Sequence, residues 1–139
     1  MQHPGRLRLV VDTNVWFSHL FSGSFAGLVA LPDDPHFVLL LSPAQLDEML
    51  DVLYRDKLLK RAPTVIVHAF ISDLIARSQM VNPISVVNAC RDPKDNYLLA
   101  LAKDGRADLI ITGDKELLVL RKFLRTRIIG PTEFLKKYD

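Results

Sequence analysis

The chain has one cysteine, Cys90. That rules out an intrachain disulfide and any zinc cluster built on cysteine, and it fits the reducing conditions of the cytoplasm. The expected role of Cys90 is a small core residue. Long apolar runs are also missing. None approaches the roughly 20 residues a membrane-spanning helix needs, and the run behind Pro4-Gly5 is too short for a signal peptide. A cytoplasmic location without membrane contact is expected. Neither G-x-G-x-x-G nor G-x-x-x-x-G-K-[ST] occurs, which argues against Rossmann and P-loop nucleotide sites. Charge of one sign is not in excess. The formal net charge is +2, so only a local basic patch could mark a nucleic-acid partner.

What is present is the composition of a folded protein, with 49% hydrophobic and 24% charged residues. At 139 residues the chain reads as a single domain, 1–139, able to enclose a real core. Apolar segments at Leu7–Val11, Phe37–Leu41, Leu109–Thr112 and Arg127–Ile129 read as strands, each followed by a Ser, Thr, Asp or Pro that suits a helix start. Their unbroken apolarity predicts burial on both faces, as in a parallel sheet. A weaker fifth strand is placed at Met80–Val81 or Ser85–Val87, near Pro83. One-face apolar stripes predict helices over 43–60, 64–77, 93–103, 114–123 and 132–137. Strands alternating with helices imply an α/β fold: a three-layer α/β/α sandwich around a parallel sheet of about five strands. In such sheets ligands gather at the carboxyl ends of the strands.

Acids and polar residues occupy those ends. Asp12 closes the first strand in VVDTNVWF, and Thr112, Gly113 and Asp114 close the strand at 109–111. Taken singly, Asp12 and Asp114 read equally well as helix caps or as functional groups. If their strands are neighbours, the two carboxylates face each other, and like charges held close need a cation or a proton between them. Ligands that are all oxygen favour Mg²⁺ or Mn²⁺ over zinc. In CRDPKDNYLLALA (90–102), Asp92 reads as a cap followed by Pro at the first helical position. Asp95 precedes Leu98 and Leu99 by three and four residues, which places a carboxylate on the apolar stripe. Burial there is costly without a partner, and a functional role is favoured. For Asp47 and Glu48, periodicity leaves both as solvated charges and does not choose between them.

In order, VVDTNVWFSHL, LLLSPAQLDEMLDVLYRDKLLKR, CRDPKDNYLLALA and ADLIITGDKELL resemble the successive motifs of PIN-domain ribonucleases, and more narrowly those of the toxin components of toxin–antitoxin pairs. The resemblance runs from about Leu7 to Leu135 and includes the proline-marked GPTEFL. It implies a five-stranded parallel sheet and a quartet of metal-binding acids: Asp12, Glu48, Asp95 and Asp114. Met49 stands where the family usually has leucine. Glu116 is a secondary acid, and Thr13, Asn14 and Thr112 match the polar residues beside the acids. The implied activity is hydrolysis of RNA by one or two Mg²⁺ or Mn²⁺ ions, with a small antitoxin protein and a homodimer as implied partners. The alternative is a module of the same fold that binds nucleic acid or protein without cleaving.

Positive charge to meet RNA is densest in RDKLLKR (55–61) and RKFLRTR (121–127). Both read first as solvated helix faces. Arg91 and Lys115 flank the acids and are the better-placed phosphate contacts. His3, His19, His36 and His68 show no ligand spacing, and Trp16, Phe17, Phe21 and Phe25 read as packing residues.

Overall fold

The computed structural model describes residues 5–22, 26–55 and 64–138. Strand β1 (Leu7–Val11) leads into α1 (Thr13–Ser22), a 3-10 helix (Ala26–Asp33) and β2 (Phe37–Leu41). Next come α2 (Pro43–Arg55), α3 (Thr64–Arg77), β3 (Gln79–Met80), α4 (Pro93–Asp104) and β4 (Leu109–Ile111). The last elements are α5 (Lys115–Leu118), β5 (Lys122–Phe123), β6 (Thr126–Ile129) and α6 (Pro131–Tyr138). Helix α2 is described as far as Arg55, so the rest of the helix expected over 43–60 lies outside the described residues, as do His3, Phe25 and most of the basic run 55–61.

The strands lie in the order β3-β2-β1-β4-β6-β5. Every neighbouring pair is parallel except β5 with β6. The weak fifth strand forms at Gln79–Met80, and Val81 N–H continues its ladder to the Leu41 carbonyl at 2.8 Å. Residues 85–87 form no strand.

The sheet therefore has six strands and is mixed, where about five parallel strands were expected. The extra strand arises where a helix over 114–123 was expected. Helix α5 makes about one turn, after which Arg121 and Leu124 adopt φ of 60° and 54°. That left-handed region ends a helix and shapes the β5–β6 turn instead. The leucines read as a helical stripe still reach the core: Leu117 is buried, and Leu118 and Leu120 pack at its margin.

Each face of the sheet carries its own core. On one side Leu9, Val11, Leu39, Leu41, Leu109 and Ile111 pack with residues of α1, the 3-10 helix, α2, α3 and α6. On the other, Val10, Leu40, Ile110 and Ile128 meet Leu98, Leu99, Leu101 and Ala102 of α4, with Leu117 of α5. The alternation along β1 and β4 is the ordinary period of two for a strand. Trp16 and Phe17 belong to the first core, where the Trp16 ring meets Phe70 edge-on at 5.5 Å. Cys90 is only half-buried at the margin of the second core, less enclosed than its composition-based reading. Gly105 lets α4 close on the sheet, since a Cβ there would stand 2.8 Å from both the Leu101 carbonyl and the Leu40 side chain.

Candidate active site

From β1 the chain steps outward through β2 to β3, then returns by α4 to place β4 on the other side of β1. The reversal of direction falls between β1 and β4, the place where open α/β sheets bind ligands. The parallel register pairs Val11 with Ile111, so the next residues, Asp12 and Thr112, emerge side by side. Continuing the alternation past Val11 and Ile111 turns both side chains toward the layer that holds α4.

Asp12 is buried. Its Oδ1 accepts the Asn14 backbone N–H at 3.2 Å, and its Oδ2 accepts the Thr112 hydroxyl at 2.7 Å. Its main-chain carbonyl accepts Val15 N–H at 2.9 Å, opening α1. Asp12 thus starts a helix and also presents a carboxylate at the switch point. Burial raises its pKa; the Thr112 and Asn14 hydrogen bonds oppose the shift, and the charge of Asp114 adds to it.

Thr112 joins the two strand ends, because its Oγ1 also accepts the Asp114 backbone N–H at 3.0 Å. Asp114 caps α5 by accepting the Glu116 N–H at 2.9 Å. Helix α4, capped by Asp92 and opened by Pro93, sets Asp95 in its first turn against these groups. Asp95 is 4% exposed, and its Oδ2 is buried without a hydrogen-bond partner. Its pKa is raised to about 7, first by burial, then by a hydrogen bond and charge repulsion from Asp114, with Asp92 and Asp12 adding to the shift.

Glu48 approaches from α2, in the opposite helical layer. Burial raises its pKa, Lys94 of α4 lowers it, and Asp12 and Asp92 raise it. Lys94 Nζ stands 3.9 Å from Glu48 Oε1. Asp47 is exposed. The structure therefore draws Glu48, the acid chosen by resemblance, toward Asp12.

The remaining expected residues have separate surroundings. Thr13 is buried, and Gln45 Nε2 approaches its Oγ1 at 3.5 Å while donating to the Val11 carbonyl at 2.6 Å. Asn14 is exposed and lines a cleft of about 370 Å³ with Asp12, Val15, Ser18, Gly113, Asp114 and Pro131. Glu116 is ion-paired with Arg91, whose side chain is 90% exposed. Lys115 is exposed. Of the described histidines, His36 and His68 are exposed, and His68 meets Tyr54 rather than an acid.

Sequence reasoning missed two residues, Lys94 and Gln45. SPAQ (42–45) was the available signal for Gln45, since a Ser cap with Gln three residues later is a helix-start pattern. Ser42 does accept the Gln45 N–H, at 3.1 Å, but the Gln45 amide reaches across to β1. Nothing in the spacing could have paired Lys94 with an acid on another helix.

The donors here are carboxylate oxygens, and one buried carboxylate oxygen of Asp95 is left unbonded. This chemistry fits a hard divalent cation. Among the described residues no three acidic, histidine or cysteine side chains already converge on one ion position, so the carboxylates must shift to share a metal.

Comparison with known proteins agrees with this architecture. The chain is 31% identical over 149 aligned positions to "Uncharacterized protein MJ1680" of Methanocaldococcus jannaschii, covering 96% of this chain and 93% of that protein. The crystal structure of PAE2754 from Pyrobaculum aerophilum superposes with a TM-score of 0.58 at 13% identity, covering 96% of this chain and 92% of the other, a likeness of fold. The family model described as "PIN domain" matches residues 8–116. That match takes in Asp12, Glu48, Asp95 and Asp114, and the chain belongs to the PIN domain family.

Proposed function

We propose that this chain is a metal-dependent endoribonuclease that hydrolyses phosphodiester bonds of single-stranded or structured RNA at the carboxyl end of the sheet. PIN domains are generally nucleases and usually bind divalent metals. The observation that carries the reading is a buried Asp95 carboxylate with an oxygen left unbonded, set against buried Asp12 and the Asp114 that Thr112 ties to it. Such a cluster repels itself until a proton or a cation enters, and a site meant only for stability gains nothing from it.

Asp12, Asp95 and Asp114 would hold Mg²⁺ or Mn²⁺, with Glu48 as a further ligand. A bound ion of this kind acidifies water and offsets charge on a phosphodiester. Thr112 fixes the Asp12 carboxylate and the Asp114 backbone in one geometry. When it is not itself on the ion, Glu48, beside Lys94 at the edge of the cluster, would orient the attacking water. Lys94 at the rim would meet a phosphate oxygen. Arg91, engaged with Glu116, would have to leave that ion pair to do so.

The narrower reading, a toxin restrained by a small antitoxin protein and acting as a homodimer in the cytoplasm, is supported by motif order alone. Expression should then arrest growth, and Asp12→Asn should relieve the arrest. The enzymatic reading is tested by incubating wild type with single-stranded RNA and Mg²⁺ or Mn²⁺. Cleavage should stop with EDTA and should fall by about a hundredfold or more in Asp12→Asn. Cleavage near the wild-type rate in Asp12→Asn would sink the mechanism. The non-cleaving module is favoured by one observation, that no three donors are pre-assembled among the described residues. RNA binding without metal-dependent cleavage would select it.

A further inference from the structure

The run RKFLRTR (121–127) forms a hairpin, and its basic residues do not all behave alike. Arg125 is bound to Asp108 at 2.6 Å. Arg121, Lys122 and Arg127 have no acid within ion-pair distance among the described residues. The antiparallel register sets Lys122 directly opposite Arg127, and like charges so placed destabilise a sheet. These three residues, with Leu118, Ile128, Ile129 and Glu133, line a groove of about 630 Å³ along the sheet edge. The groove and the acidic cleft are neighbours along the chain: Ile129 lines the groove, and Pro131, two residues on, lines the cleft with Asp12 and Asp114. Two residues of extended chain span about 7 Å.

We infer that this edge groove is a track for the phosphodiester backbone of the RNA strand whose scissile bond enters the acidic cleft. The inference rests on the nuclease reading above, which supplies the strand's destination. Phosphates along the groove would offset the Lys122–Arg127 repulsion, for which no described acid stands within ion-pair distance. The carboxylates beyond Pro131 repel any polyanion until a cation enters, so the choice of a phosphodiester over an acidic protein segment rests on the nuclease reading. Phe123, the aromatic residue of β5, is only half-buried and pairs with Thr126 at the neighbouring register position. It packs against the second core and is not among the groove-lining residues, so contacts in the groove fall to phosphate and carry no base preference.

The test measures binding of a short fluorescein-labelled single-stranded RNA by anisotropy, in EDTA, across a salt series. For single strands the log–log salt slope changes by about 0.7 for each phosphate contact. The double variant Lys122→Gln, Arg127→Gln should lower the slope by about 1.4 and weaken binding at low salt by about tenfold or more. Its thermal midpoint should be unchanged or higher, because a like-charge pair is removed. In cleavage its KM should rise while kcat is kept. Glu133→Gln removes no base and should tighten RNA binding, which keeps the test open if the double variant does not fold. Equal affinity and slope in wild type and double variant would overturn the track, as would tighter binding of polyglutamate than of RNA at matched charge. Wild type that binds with the expected slope but never cleaves defeats the nuclease reading and leaves the groove standing as an RNA-binding surface.

Discussion

The two ends of the sheet handle charge in opposite ways. At the amino end, Asp108 accepts the Arg8 backbone N–H at 2.8 Å and the Arg125 guanidinium at 2.6 Å. Arg8 in turn donates to the Gly105 carbonyl at 2.8 Å and to Gln79 at 3.1 Å. Acid meets base there, and β1, β3, β4 and the end of α4 are tied together. At the carboxyl end Asp95 meets Asp114, Asp12 adds a third carboxylate, and an oxygen of Asp95 goes unbonded. One end is organised for stability, and the other holds a tension that only a ligand or a proton relieves. That contrast separates structural from functional charge more sharply than burial does.

The largest effect should come from the functional end. Asp12→Asn should reduce RNA cleavage by about a hundredfold or more, and Thr112→Val, which frees the carboxylate it supports, by about 10- to 100-fold. Next should come a gain. The Asp95 carboxyl, ordinarily at 3.8, is held at about 7, so the folded chain binds this proton more tightly than the unfolded chain does. Its contribution to stability is present in acid and is lost as pH rises through about 7. Asp95→Asn should therefore raise the thermal midpoint of the metal-free protein at pH 8, by up to a few kcal/mol in unfolding free energy, while cleavage is lost. A midpoint that falls in Asp95→Asn would break the contrast between the two ends. A smaller, opposite change is expected at the amino end. Asp108→Ala should cost about 1 kcal/mol by leaving the part-buried Arg8 N–H without its acceptor, with kcat unchanged. The smallest effect is expected at the rim, where Arg91→Gln breaks a solvent-exposed pair and should leave chemical denaturation curves superimposable.

Much of the fold could be read from the sequence wherever one residue answers to one local rule. Strands β1, β2 and β4 are buried on both faces, and their unbroken apolar runs say so. Asp95 was legible because a carboxylate interrupts an otherwise apolar helix face, and the structure does bury it. The β5–β6 hairpin was not. Its leucines fit a helical stripe, and the left-handed turns at Arg121 and Leu124 have no glycine or asparagine to announce them. Glu48 was not legible from periodicity either, because what encloses it is the approach of α4 rather than the face of α2 on which it lies. Arg91 looked well placed by its position next to an acid, but it is ion-paired with Glu116 of α5. Pairings between elements are the part that composition and spacing do not encode.

Calorimetric titration of the metal-free protein with Mn²⁺ near pH 7, repeated in buffers of different ionisation enthalpy, tests the functional end most directly. The carboxyl-end acids should bind the ion with release of the proton held by Asp95, and both the binding heat and the proton release should collapse in Asp95→Asn. Mn²⁺ binding of equal strength in Asp95→Asn, or no binding to wild type, would contradict the assignment of this cluster as the metal-holding centre.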